Sequence, residues 1–143
     1  MFLEPFSKEN RLPQNKRLVL VTGALQVLIG IGAVPAGLGF ILDPSGSKIG
    51  MSPEMLAGSP FADFLVPGIV LFLVNGIGSL AGAVLTLRRH AIAGKAAMGL
   101  GAFLMAWIVV QVWVLGPPLH WLQILYFVLG VVEFGLGWQI ERE

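Results

Sequence analysis

The chain has no cysteine, only two histidines, one tyrosine and very little charge. Without cysteine there is no disulfide, thiolate nucleophile, Cys-ligated zinc or iron–sulfur cluster. Lys, Arg, Asp and Glu make up 12% of the 143 residues, about half the charged fraction of an ordinary globular domain. Hydrophobic residues reach 56% and the mean hydropathy is +0.84. Such a chain cannot clothe a water-facing surface, so lipid must be the solvent for most of its outside. A formal net charge of +1 provides no basic face to neutralise phosphates, which excludes a nucleic-acid partner.

What is present is four apolar segments, approximately 18–42, 64–87, 93–115 and 119–139. Each is near or above the ~20 residues a helix needs to cross a ~30 Å hydrocarbon core. The runs are continuous rather than alternating, which argues against a β-barrel. Four helices apolar all round leave nothing polar to face water, which argues against a soluble bundle. The predicted fold is an all-α membrane protein, one domain over residues 1–143, built as a four-transmembrane-helix bundle.

Charge sets the expected orientation. Lys8, Arg11, Lys16 and Arg17 precede the first span, Arg88, Arg89 and Lys95 lie between the second and third, and Arg142 follows the fourth. Only Lys48 falls on the other side, so the positive-inside rule makes both termini cytoplasmic. The lead MFLEPFSKENRLPQNKR (1–17) has mixed charge and runs into an apolar stretch of about 25 residues, longer than a ~7–15-residue signal core. It reads as a cytoplasmic lead before a true span. The expected location is a plasma (inner) membrane of bacterial type.

The connections carry turn signals. Asp43-Pro44-Ser45-Gly46 has the preferences of a type I turn. Ser52-Pro53 and Ser59-Pro60 each place a capping hydroxyl before a proline suited to a first helical position. They predict a short outer interfacial helical turn around Met51, Met55 and Leu56, and a second span beginning near Pro60. Gly116-Pro117-Pro118 predicts a tight hairpin between the last two spans. Pro35 and Pro67 predict kinks in spans one and two. Among 19 glycines, Gly78 and Gly82 form a GxxxG step, a signal for close packing within the bundle or, alternatively, for a homo-oligomer interface.

The spans also hold a sparse polar set. Thr22 and Gln26, Asn75 and Ser79, and Trp107 and Gln111 are i,i+4 pairs on spans one, two and three. Gln123, Tyr126, Gly130, Glu133 and Gly137 follow three- and four-residue steps along one face of span four. Helical rise places Glu133 roughly 9 Å from the cytoplasmic end, Gln26 and Ser79 roughly 13–14 Å, Asn75, Trp107 and Tyr126 near 18–20 Å, and Gln111 and Gln123 near 24 Å. Amides and hydroxyls at such positions commonly serve only as interhelical glue worth about 0.6 kcal/mol each. Glu133 is different, because a carboxylate at that depth costs about 2–3 kcal/mol unless paired, protonated or wetted. The structural alternative is snorkelling towards Arg142 or Arg88. Trp113, Trp121 and Trp138 lie near span ends, as an aromatic belt requires.

Several membrane activities are excluded by residue. His90 and His120 lie at opposite ends of the bundle and cannot share a haem iron. No Ser–His pair or pair of aspartates lies within the spans for intramembrane proteolysis, and no cation lies within the helices for a glutathione-type transferase. Small multidrug transporters are similar in size and span count, but their working glutamate is in the first helix and this one is in the fourth. No cofactor or metal is expected. The leading reading is a small membrane protein that binds or passes a lipid, another hydrophobic or cationic ligand, or protons, through an interior centred on Glu133. Tyr126, Gln123, Gln26, Asn75, Gln111 and Trp107 are its candidate polar lining. The alternative is a non-catalytic accessory subunit docked in a larger membrane complex. An enzyme using Glu133 as a general acid/base ranks third.

Overall fold

The computed structural model describes residues 15–117 and 119–143, so residues 1–14 of the lead and Pro118 of the Gly-Pro-Pro turn lie outside the described residues. Four helices are long and apolar enough to cross a membrane: α1 (Lys16–Leu42), α2 (Leu65–Leu87), α3 (Ala93–Leu115) and α4 (Trp121–Arg142). Helices satisfy every backbone group within the segment, which an apolar solvent demands.

Side chains close the helix ends. Asn15 Oδ1 accepts from Arg17 N at 2.8 Å and starts α1. His120 Nδ1 accepts from Leu122 N at 3.1 Å while Gln123 Oε1 accepts from His120 N at 3.0 Å, a reciprocal cap that starts α4. The last turn of α2 closes with bonds from Arg89 N to Thr86 O and from His90 N to Leu85 O. This Schellman closure places Arg89 at φ 55°, a left-handed position usually given to glycine.

α1 runs unbroken through Pro35. α2 is irregular, with α-helical ends (Leu65–Val70 and Ser79–Leu87) around a π-helical middle, Leu71–Gly78. Pro67 stands in the first turn, where its missing N–H has no helical acceptor to lose. The second span begins at Leu65, not near Pro60. Ser59 Oγ donates to Leu56 O at 2.7 Å and accepts from Phe61 N at 3.2 Å, holding the chain in a turn. Asp63 Oδ1 then accepts from Leu65 N at 3.0 Å and opens the helix. The predicted single turn between spans one and two is two 3-10 turns, Ser47–Ile49 and Pro53–Leu56.

The helices pair as two hairpins. α1 packs along α2 and α3 along α4, while shorter α1–α4 and α2–α3 contacts join the pairs. Glycines set both hairpin interfaces. A Cβ on Gly101 would lie 2.6 Å from the Gly130 carbonyl oxygen, and one on Gly137 2.8 Å from the Gly94 carbonyl. A Cβ on Gly37 would lie 2.8 Å from the Gly68 carbonyl, and one on Gly30 3.1 Å from the Gly76 carbonyl. Backbones this close need residues without Cβ, the usual basis of helix association in lipid. The predicted GxxxG step serves otherwise. At Gly78 a Cβ would reach only Leu100 Cδ2 and the Leu73 carbonyl, both at 3.4 Å. Gly82 makes room for side chains, Leu100 and the Gln26 amide, rather than for a neighbouring backbone.

Candidate functional site

Because the hairpins are tight inside and looser against each other, a cavity of about 410 Å³ opens between them. It occupies the half of the bundle away from the termini. All four helices line it, and Leu56, Phe61 and Phe64 of the 43–64 connection border it too. That connection folds back onto the helices: Phe64 N donates to Pro44 O at 2.9 Å and the Phe64 ring stacks on Phe40 at 4.9 Å. Ile29, Leu104 and Ile108 are part of the wall and also form a buried apolar cluster.

The wall is apolar except for Asn75, Trp107, Gln111, Gln123 and Tyr126. These are five of the seven residues expected to line a polar interior. Gln123 is half committed to the α4 cap, and its Nε2 reaches Gln111 Oε1 at a long 3.5 Å. The Tyr126 hydroxyl lies over Gly32, where a Cβ would approach it to 2.9 Å. Asn75 Nδ2 and Trp107 Nε1 are buried donors with no partner. An unsatisfied buried donor costs about 1–3 kcal/mol, so two beside one cavity call for a ligand acceptor or water. Asn75 belongs to the π segment of α2, a distortion that occurs often at functional sites.

The other two expected residues, Glu133 and Gln26, are not part of the cavity wall. They form a second cluster nearer the termini. Thr22, Gln26 and Glu133 have no exposed surface, and Ser79 and Thr86 have almost none. Thr86 Oγ1 donates to Gln26 Oε1 at 2.8 Å, joining α2 to α1. Gln26 approaches the Glu133 carboxyl, yet neither carboxylate oxygen has a hydrogen-bond partner. Thr22 Oγ1 and Gln26 Nε2 also have none. The snorkelling contact with Arg142 or Arg88 is not formed: neither Glu133 oxygen has a partner, and Arg142 lies 4.6 Å over the Trp138 ring.

Sequence reasoning missed Thr86, although Ser79, Gly82 and Thr86 follow three- and four-residue steps on one face of α2. Asp63 and His120 accept from the backbone N–H groups of Leu65 and Leu122 at the starts of α2 and α4. The stripe on α4 does share a buried face, through Gln123, Gly130, Glu133 and Gly137.

Among the described residues, fold and site together define an all-helical protein with four helices long and apolar enough to span a membrane, an interior cavity and a separate buried polar cluster. No protein-family model, curated protein or solved structure matches the chain.

Proposed function

We propose that this chain is a membrane-embedded binding protein for an uncharged, largely apolar small molecule, lipid or lipid-like, held between its two hairpins. The observation that carries this reading is the cavity, about 410 Å³ of mostly apolar space whose wall includes a few polar side chains, Asn75 and Trp107 among them. Ligand sites of roughly 300–1,000 Å³ combine apolar walls with a few placed polar groups in this way. The absence of any charged side chain from the wall favours a neutral ligand. Both termini lie in the cytoplasm and the cavity in the outer half of an inner-type membrane, a placement supported by the positions of the Lys and Arg residues.

Mild detergent extraction followed by native mass spectrometry tests the binding reading. The wild type should carry a bound small molecule. Ala33→Phe, which fills the cavity, should lose it. Asn75→Leu should weaken retention by about tenfold, the equivalent of ~1.4 kcal/mol from one hydrogen bond. A wild type that emerges empty and is not stabilised by added lipid extract defeats the proposal. Orientation is tested separately, since the chain has no native cysteine. Single cysteines at Ser47 and Leu119 should react with an impermeant maleimide from outside and one at Ala91 should not; the opposite pattern inverts the topology.

A further inference from the structure

The cavity leaves the cluster around Glu133 unexplained. Glu133 is the only fully buried acidic or basic side chain among the described residues. α1 offers Thr22 and Gln26, one helical turn apart on the same face. α2 offers Thr86, bonded to Gln26, and buried Ser79. α3 presents Gly94, Ala97, Gly101 and Met105 to the α4 glycines, none of them titratable. No basic side chain pairs with it among the described residues: both carboxylate oxygens lack a partner, Lys95 is engaged with Glu141 and Arg142 with Trp138.

We propose that the Glu133 carboxylate, the Thr22 hydroxyl and the Gln26 amide oxygen hold a small alkali cation, of the sodium type, between α1 and α4. Both carboxylate oxygens and Thr22 Oγ1 are buried acceptors without partners. Gln26 Oε1 uses one lone pair for Thr86 and keeps a second. A hard cation engages several oxygens at once and would draw the carboxylate and the Thr22 hydroxyl to one point. A proton on Glu133 instead occupies one oxygen and leaves the other to the Gln26 Nε2 donor, which also has no partner. Charge selects the valence. One carboxylate in apolar surroundings is neutralised by one positive charge, and a divalent ion would leave a net charge in the bundle, at the cost such a charge has in lipid. The ligands come from α1 and α4, helices of different hairpins, so an occupied site ties the hairpins together near the termini.

The test is labelling of Glu133 by dicyclohexylcarbodiimide, an apolar reagent that attacks a carboxyl carrying its proton, read by peptide mass. The full chain in lipid vesicles is compared in sodium chloride and in choline chloride of equal ionic strength. Sodium should slow labelling several-fold, and Thr22→Val should abolish the difference. Ala33→Phe, which alters only the cavity, should preserve it, so failure of the ligand reading and failure of this one are separable. Equal labelling in both salts assigns the carboxyl to a proton alone and overturns the proposal. Resistance in both salts overturns it as well, because the protein itself then shields the group. The wild-type comparison stands even if Thr22→Val fails to fold.

Discussion

The α3–α4 hairpin and the α1–α2 hairpin meet one packing demand with different helices. In the first, Gly94 faces Gly137 and Gly101 faces Gly130, so seven residues on one strand of the hairpin oppose seven on the other. Two regular helices keep that register. In the second, Gly37 faces Gly68 and Gly30 faces Gly76, so seven residues of α1 oppose eight of α2. The additional residue falls within the π-helical segment Leu71–Gly78. A π turn closes from i to i+5 and so holds about one residue more than an α turn. Eight residues partly wound in this way span the same contact as seven in an α-helix. The regular hairpin keeps its register while presenting Trp107, Gln111, Gln123 and Tyr126 to the cavity, and the irregular one fits an extra residue beside Asn75, which borders the cavity too. The difference teaches that a buried polar position can be added to a glycine-sealed interface without opening the seal.

The largest expected effect comes from breaking the regular hairpin. Gly101→Leu or Gly130→Leu should lower the thermal midpoint in detergent sharply, because a Cβ at Gly101 already lies 2.6 Å from backbone. Overpacking costs about 1–3 kcal/mol where side chains can yield, and a carbonyl yields less. Gly78→Leu should be near silent, since nothing lies closer than 3.4 Å to its Cβ direction. If all three variants melt alike by size-exclusion stability assay, close backbone contact is not what distinguishes these glycines.

A smaller and more selective effect is expected from deleting one residue of the π segment. Leu73 is 52% exposed and makes no part of the cavity wall. Its removal brings Gly68 and Gly76 into the seven-residue spacing of the other hairpin. The α2 helix should become regular, the thermal midpoint should hold or rise, and retention of the cavity ligand should fall. A protein that melts far lower instead would show that the eighth residue serves packing rather than the site.

How much of this was legible in the sequence varies from residue to residue. The third span was read at its observed bounds, because its apolar run is closed by charge on one side and Gly-Pro on the other. At the start of α2 the apolar run from 64 lies one residue from the observed Leu65, whereas Ser59-Pro60 misleads because it is a cap signal that works equally well in a turn. Gly78 and Gly82 were chosen as a four-residue motif, whereas the working glycines are spaced by seven or eight and meet partners distant in sequence. The π segment has no residue signature, since it results from fitting eight residues opposite seven. Glu133 is legible as a costly group in an apolar environment, and Gln26, Asn75 and Trp107 as candidate lining residues, the amides serving equally well as interhelical glue. Their division between a cavity and a separate cluster is not legible, because it depends on where two hairpins fail to touch.

The smallest effect concerns the connection that borders the cavity, and it depends on pH. The Asp43 carboxylate accepts from Ser45 Oγ at 2.6 Å, Lys48 N at 3.2 Å and Ser47 Oγ at 3.3 Å. These bonds, that from Ser45 first, hold its pKa below the ordinary carboxylate value. A depressed pKa means that the ionised form favours the folded turn. The contribution is therefore complete above the ordinary carboxylate range and is lost as pH falls through the lower folded value. Hydrogen exchange at Ser47 and Lys48, corrected for its intrinsic pH dependence, should show protection that declines only in acid. Asp43→Asn should have the weakened protection already at neutral pH and no further acid step. Because the group is exposed, the change should stay local to residues 43–50 and leave the melting of the four helices unmoved. If Asp43→Asn retains full protection at neutral pH, the turn is held by Gly46 in its left-handed conformation, φ 73°, and by the Gly46 N to Asp43 O bond rather than by the carboxylate.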